Sequence, residues 1–137
     1  MKWSCQQLFR YTQTPLKFSE ELDYREYIKG IDDILDISTV KVEGEAIHPY
    51  DDRYEFKLLI KCTLFLQDAV TLEQVEYPID LDVTESFDKI VDPESDEDVR
   101  LIEKNTIDLY DVVWENIYLE KPIRVTKNRW GENLWVL

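Results

Sequence analysis

The sequence predicts an α+β domain: an antiparallel sheet built around a long β-hairpin at about 53–84, with short helices on one side or end. Three observations carry this. Tyr54, Phe56, Leu58, Ile60, Cys62, Leu64 and Leu66 occupy every second position, the period of a strand with one buried face. Val75, Tyr77, Ile79, Leu81 and Val83 repeat that period on a returning strand. Leu109, Val112, Val113 and Ile117 then recur at helical spacing, with Pro122 to end the helix. The pattern leaves open whether the sheet closes partly on itself.

Taken in order, Ser4-Cys5-Gln6-Gln7 reads as a capping box. The Ser4 hydroxyl can accept from the Gln7 amide, and the Gln7 side chain can accept from the Ser4 amide. This predicts a short helix near 5–10 that buries Leu8 and Phe9. Pro15 opens an extended piece with Leu16, Phe18, Glu20 and Leu22 on one side. Asp23-Tyr24-Arg25-Glu26 is a second capping pattern and predicts a short helix over 23–30, stopped by Gly30.

The next stretch, 36–51, is rich in β-branched residues. Val40 and Val42 alternate with charges, and Gly44 is read as a bulge. Pro49-Tyr50-Asp51-Asp52 supplies a turn. After the strand from 53 to 67, Gln67-Asp68-Ala69 turns the chain into a strand over 70–84. Pro78 has no N–H to give a neighbour, so this strand is placed at an edge there, or bulged. The acidic run 92–98, DPESDED, is expected to be a mobile, solvated loop. The last helix is expected over 109–119, with Trp114 and Tyr118 widening its apolar stripe.

A chain of 137 residues with no linker is read as one domain, 1–137, long enough to bury a real core. Its formal net charge is -14, which disfavours a whole-surface nucleic-acid binder and DNA as a partner, and suits a basic partner. Cys5 and Cys62 stand far apart and in no metal spacing. Neither a disulfide framework nor a metal site is expected, and a reducing cytoplasm is the expected setting. No apolar run approaches the roughly 18–20 residues of a membrane helix, and no signal segment is visible.

Reactive chemistry is sparse. Only Gly30, Gly44 and Gly131 are available, so no phosphate-cradling glycine loop can be written, and no cofactor is expected. Cys62 falls on the apolar face of the long strand and reads as core. His48, the one histidine, reads as an exposed loop residue beside Pro49. Carboxylate pairs such as Asp32-Asp33 and Asp51-Asp52 read as solvated faces in a chain with 30 acids. The acidic run lacks the glycine and ligand spacing of an EF-hand loop. No catalytic residue is assigned.

Three stretches together resemble a known family. They are Met1-Lys2-Trp3-Ser4; the segment 68–87, with Val75-Glu76-Tyr77-Pro78 and then Glu85 and Phe87; and 107–125, with I-D-L…E-x-I-x-L-x-x-P from Ile107 to Pro122. In these the chain resembles the YceD family, the large ribosomal RNA subunit accumulation proteins, in its Gram-positive form. Many such relatives carry C-x-R-C at the hairpin turn, where this chain has Asp68, Ala69, Val70 and Thr71. Many have further cysteines after the helix, and this chain has none there. A zinc-binding role therefore does not carry over, because two cysteines cannot supply four thiolates. The resemblance implies a role in accumulation or processing of large-subunit ribosomal RNA, without a known catalytic activity.

The candidate binding segment is the basic, aromatic stretch 121–137. From Lys121 to Gly131 it holds Lys121, Arg124, Lys127 and Arg129 and no acid, leaving 12 bases against 29 acids in 1–120. In one reading these bases contact phosphates and Trp130 stacks on an unpaired base, for about 1–3 kcal/mol. In the other the tail folds back on the acidic body, its bases pairing with carboxylates and its tryptophans packing on the sheet. The expected partner, from the resemblance, is large-subunit ribosomal RNA precursor or a basic ribosomal protein. An acidic protein–protein adaptor without RNA contact is the first alternative. A metal-dependent RNA-processing enzyme is the second, and it needs carboxylates converging on magnesium.

Overall fold

A computed structural model of the chain describes residues 1–122 and, for their backbone, 124–127 and 133–136. The order is β1 (Lys2–Ser4), α1 (Cys5–Leu8), β2 (Leu16–Leu22), β3 (Ile34–Ile37), β4 (Val40–Tyr50), β5 (Arg53–Gln67), β6 (Gln74–Asp88), β7 (Val99–Leu101), β8 (Thr106–Asp108), α2 (Tyr110–Glu120), β9 (Arg124–Lys127) and β10 (Asn133–Val136). The molecule is mainly β, an antiparallel-rich sheet with short helices. The helical share is smaller than the α+β reading expects.

The main sheet runs β2-β4-β5-β6-β7, with β3 paired to the end of β5. The path ends at β2 and β7, so the sheet stays open. All its pairings are antiparallel except β6 with β7. At its centre β5 and β6 pair without interruption from Tyr54↔Phe87 to Gln67↔Gln74. The even residues of β5 from Tyr54 to Leu66 are all buried, as the alternation predicts. Burying such side chains stabilises by roughly 1.5–3 kcal/mol each before chain entropy is counted.

The layer over this face is assembled from both ends of the chain. β1 pairs with β8, Trp3 opposite Ile107, and Trp3 packs on Phe18 and Phe56 with ring centroids 4.7 and 5.6 Å away. The capping box forms as predicted: Gln7 N–H donates to Ser4 Oγ at 3.1 Å, and Ser4 N–H donates to Gln7 Oε1 at 2.8 Å. Helix α2 buries Val112, Val113 and Ile117. On the opposite face of β5, Lys57, Leu59 and Lys61 at its middle are exposed and the residues toward both ends are half-buried, as in an antiparallel sheet with one wet side.

Several expectations are corrected. No helix spans 23–30; that segment is a run of turns, closed by Tyr27 N–H to Tyr24 O at 2.9 Å and Ile31 N–H to Ile28 O at 3.0 Å. The Asp23 carboxylate, expected to cap a helix, instead accepts from the Arg25 amide and guanidinium. Gly30 does end the segment, with φ +85°. Leu8 is buried, but Phe9 is 60% exposed, because α1 ends after one turn.

Gly44 marks no bulge. It holds regular register between Phe18 and Leu58, and a Cβ there would lie 2.2 Å from Phe18 Cζ. The glycine is the floor on which the Phe18 ring rests. The register shifts of the sheet fall instead between Ile34 and Asp36 and between Ile47 and Tyr50.

His48 is not an exposed loop residue. It lies in β4, 3% exposed, stacked on Tyr54 at 4.6 Å. Its Nδ1 is 2.9 Å from Phe9 O and its Nε2 2.5 Å from Asp51 O. The turn starts two residues later than expected, at Asp51, whose φ is 45°.

The return strand starts at Gln74 rather than Val70. Asp68 is the cause: buried, it accepts from Val70 N–H at 2.8 Å and Thr71 N–H at 2.9 Å. Such an Asx turn lengthens the connection. Pro78 stands opposite Thr63 on β5, and β7 pairs only with Ser86–Asp88. Pro78 is therefore at a sheet edge and the register there is unbroken.

Candidate binding surface

Of the predicted contact residues, Lys121 is described in full. Its side chain is 10% exposed, and its Nζ lies 2.5 Å from Asp33 Oδ2. It also donates to the Pro122 carbonyl at 3.2 Å and sits 5.9 Å from the Tyr118 ring centroid. Its charge is engaged inside the fold. Arg124 and Lys127 begin and end β9, which pairs with β10 in the register Val136↔Arg124 to Asn133↔Lys127. Arg129 and Trp130 lie outside the described residues.

The short motifs singled out in the sequence meet in space. Glu85 on β6 and Glu115 on α2 are bridged by Arg100 of β7. Arg100 Nε is 2.9 Å from Glu85 Oε2, and its NH2 group is 2.6 Å from Glu115 Oε2. Asn116 Nδ2 donates to Glu85 Oε1 at 3.0 Å and to Val112 O at 2.9 Å. Phe87 packs edge-on against Phe56, 5.5 Å between centroids. From the other motif, Tyr77 donates its hydroxyl to Glu120 O at 3.3 Å. These residues tie α2 to the sheet.

Beside that junction α2 carries a ladder of rings. Tyr110, Trp114 and Tyr118 stand four residues apart, and so share a helix face. Tyr24 stacks on Tyr110 at 4.5 Å and on Trp114 at 5.8 Å. Tyr27 meets both edge-on, at 5.4 and 5.7 Å, and Tyr118 follows Trp114 at 6.0 Å. Tyr24 donates to Tyr110 O at 2.7 Å, Tyr27 to the Asp111 carboxylate and Tyr110 to Asp23 O. The first two rungs, Tyr110 and Trp114, are half-buried; Tyr118 is 46% exposed and Leu119 beyond it 81%.

Burial and internal hydrogen bonds shift several titrating groups. Burial pushes the Cys62 thiol up to about 12 and raises that of Cys5, so neither is an activated nucleophile. The hydrogen bond to Asp111, then burial, raises Tyr27 to about 12. Bonds from Arg25 lower Asp23 to about 2. Among the described residues no group of three or more His, Cys, Asp or Glu is placed to hold a metal ion. A depression of about 590 Å³ lies on the open sheet face around Leu59, with Lys17, Lys57, Glu43, Glu45 and Asp82 at its walls. Mixed charge there selects no ligand class.

Residues 56–133 match the family model described as large ribosomal RNA subunit accumulation protein YceD. The chain belongs to the YceD family. A protein of Bacillus subtilis (strain 168) described as "Uncharacterized protein YlbN" is 32% identical over 126 residues, which span 91% of this chain and 73% of that relative. No solved structure gives a significant match. The YceD description names an accumulated RNA and no reaction. No helix among the described residues is long and apolar enough to cross a membrane.

The sequence does not point to Arg100 or Asn116, and Asp33, read with Asp32 as a solvated face, instead pairs with Lys121; the side-chain partners of the three lie 15 to 88 residues away. The ladder did leave a signal. Trp114 and Tyr118 read in the sequence as a widened apolar stripe, and Tyr110, four residues before Trp114, completes the ladder.

Proposed function

We propose that this chain is a non-enzymatic, cytoplasmic ribosome-biogenesis factor. It supports accumulation or processing of large-subunit ribosomal RNA by binding, and its direct partner is a basic ribosomal protein. The family description supports the ribosomal role. One observation carries the choice of partner. Residues 1–122 hold 13 bases against 29 acids, and the basic groups of Arg53, Arg100 and Lys121 are already paired with carboxylates. A surface with so little uncommitted positive charge repels phosphates and attracts a cationic protein.

A second reading keeps RNA as the direct partner, through the acid-free stretch from Lys121 to Gly131. There Arg124, Lys127, Arg129 and Trp130 would meet phosphates and a base.

The test is crosslinking and capture from cells carrying either the native chain or Arg124→Glu with Arg129→Glu. Retention of a basic ribosomal protein by both supports the proposal. Loss of retained RNA in the variant, with folding intact, favours direct RNA contact. Turnover of precursor RNA in a magnesium-dependent cleavage assay would overturn the non-enzymatic reading.

A further inference from the structure

We propose that the ring ladder on α2 is the docking surface for that partner. The occupant is an extended, arginine-bearing protein segment whose guanidinium groups stack on Trp114 and Tyr118. The inference rests on the binding function proposed above and adds a place and a chemistry to it.

The argument starts from what the rings leave available. Buried Tyr24 stacks on Tyr110 and Trp114, and half-buried Tyr27 braces both edge-on, so the ladder is stiff and loses little freedom when covered. Its outer rung, Tyr118, is half exposed, with Leu119 exposed next to it. The Trp114 indole N–H has no acceptor among the described residues, and it can donate to a carbonyl of an extended chain. An aromatic face attracts a cation, and the molecule already uses this: Lys121 Nζ stands 5.9 Å from the Tyr118 ring centroid.

Charge then separates the occupants. Asp111 and Glu115 lie on α2 one residue beyond Tyr110 and Trp114, and both are exposed. Asp111 accepts from Tyr27 and Glu115 pairs with Arg100, through one oxygen each, and the second oxygen of each carboxylate has no partner among the described residues. Carboxylates beside aromatic faces suit a guanidinium, which can stack and pair at once. They oppose the phosphates of a nucleic acid, although bases could stack on the same rings. Lysine, a compact and strongly hydrated charge, gains less from such a surface.

The experiment measures fluorescence anisotropy of labelled probes at about 0.15 M salt. The probes are a peptide alternating arginine with glycine, its lysine counterpart, and a single-stranded oligoribonucleotide. The arginine peptide is expected to bind about fivefold or more tighter than the lysine peptide. Tyr118→Leu and Trp114→Leu are each expected to weaken it about five- to tenfold. Tyr118→Leu removes a half-exposed ring and leaves the melting temperature within a few degrees. Glu43→Gln with Asp82→Asn, on the open sheet face, is expected to leave affinity within about twofold.

Equal affinity for both peptides, indifference to Tyr118→Leu, or an equal loss in the sheet-face variant overturns the proposal. Oligoribonucleotide binding that falls with Tyr118→Leu overturns it in favour of RNA. In cells, large-subunit RNA that drops on deletion and is fully restored by the Tyr118→Leu gene overturns the docking surface while sparing the proposed function. No drop on deletion overturns the function itself, and the peptide measurements still decide the surface.

Discussion

The Lys121 ammonium group is held 2.5 Å from the Asp33 carboxylate, joining the end of α2 to a turn 88 residues earlier in the chain. The two partners are unequally buried, with side-chain exposures of 10% for Lys121 and 46% for Asp33. Removing Asp33 leaves a largely buried cation with, among the described residues, the Pro122 carbonyl and the Tyr118 ring, whereas removing Lys121 leaves a carboxylate that water can reach. Asp33→Ala is therefore expected to cost about 2 kcal/mol, and Lys121→Met, which keeps the apolar stem, about 1 kcal/mol or less. Urea denaturation of both variants checks the order. Equal losses would mean that the pair is solvated alike on both sides.

Arg100 is expected to behave as the keystone of the β6–β7–α2 junction. Glu85, at 12% side-chain exposure, is the more buried of its two partners; Glu115 is at 54%. Arg100→Ala is expected to cost about 2 kcal/mol, and Glu115→Ala under about 1 kcal/mol. The double variant should lose less than the two single losses added, since both remove the same bond. Strict additivity in denaturant titrations would show that Glu115 contributes nothing through Arg100.

What the sequence could and could not reveal follows from the range of each interaction. The period-two runs of β5 and β6, the Ser4–Gln7 box and the stripe of α2 are local, and all are present. The D-x-x-E pattern at Asp23 is local too, but it misled: the carboxylate closes on Arg25 two residues ahead, so it never caps a helix. Strands β1, β7 and β8 have three residues each, too few to show a period. His48 reads as exposed from its neighbour Pro49, while its ring is packed between Phe9, 39 residues back, and Tyr54 on the next strand. The Glu85–Arg100–Glu115 bridge and the Lys121–Asp33 pair are contacts between elements, which spacing alone does not encode.

Gly44 offers a test of the close packing on the sheet. An added methyl would meet the Phe18 ring at 2.2 Å, and that ring is wedged against Trp3. Gly44→Ala is expected to cost about 2 kcal/mol, within the range for overpacking a core. Phe18→Leu shortens the side chain and makes room, so in that background the same change should cost clearly less. Thermal melts of the three variants measure this. An undiminished cost beside Leu at position 18 would place the strain in the backbone instead.

Alkaline pH is expected to weaken the fold well before it denatures an ordinary protein of this size. Burial holds the Tyr54 hydroxyl and the Cys62 thiol up to about 12, and bonding to Asp111 with burial does the same for Tyr27. Tyr24 is raised further still, by burial and then by Tyr110. All four are neutral when protonated, and their ordinary values are 9.0 for the thiol and 10.0 for the phenols. Below about pH 9 both folded and unfolded chains keep these protons, and stability does not depend on them. Between about 9 and 12 the unfolded chain releases protons that the folded one retains, so unfolding is increasingly favoured as pH rises. The denaturation midpoint in urea should be flat from pH 7 to about 9 and then fall. Cys62→Ala removes one of the four groups. Its midpoint should be lower than that of the native chain at neutral pH, because a buried side chain is cut back, and the gap should narrow by pH 10.5. A gap that stays constant across that range would mean that the Cys62 thiol ionises as readily in the sheet as in the unfolded chain.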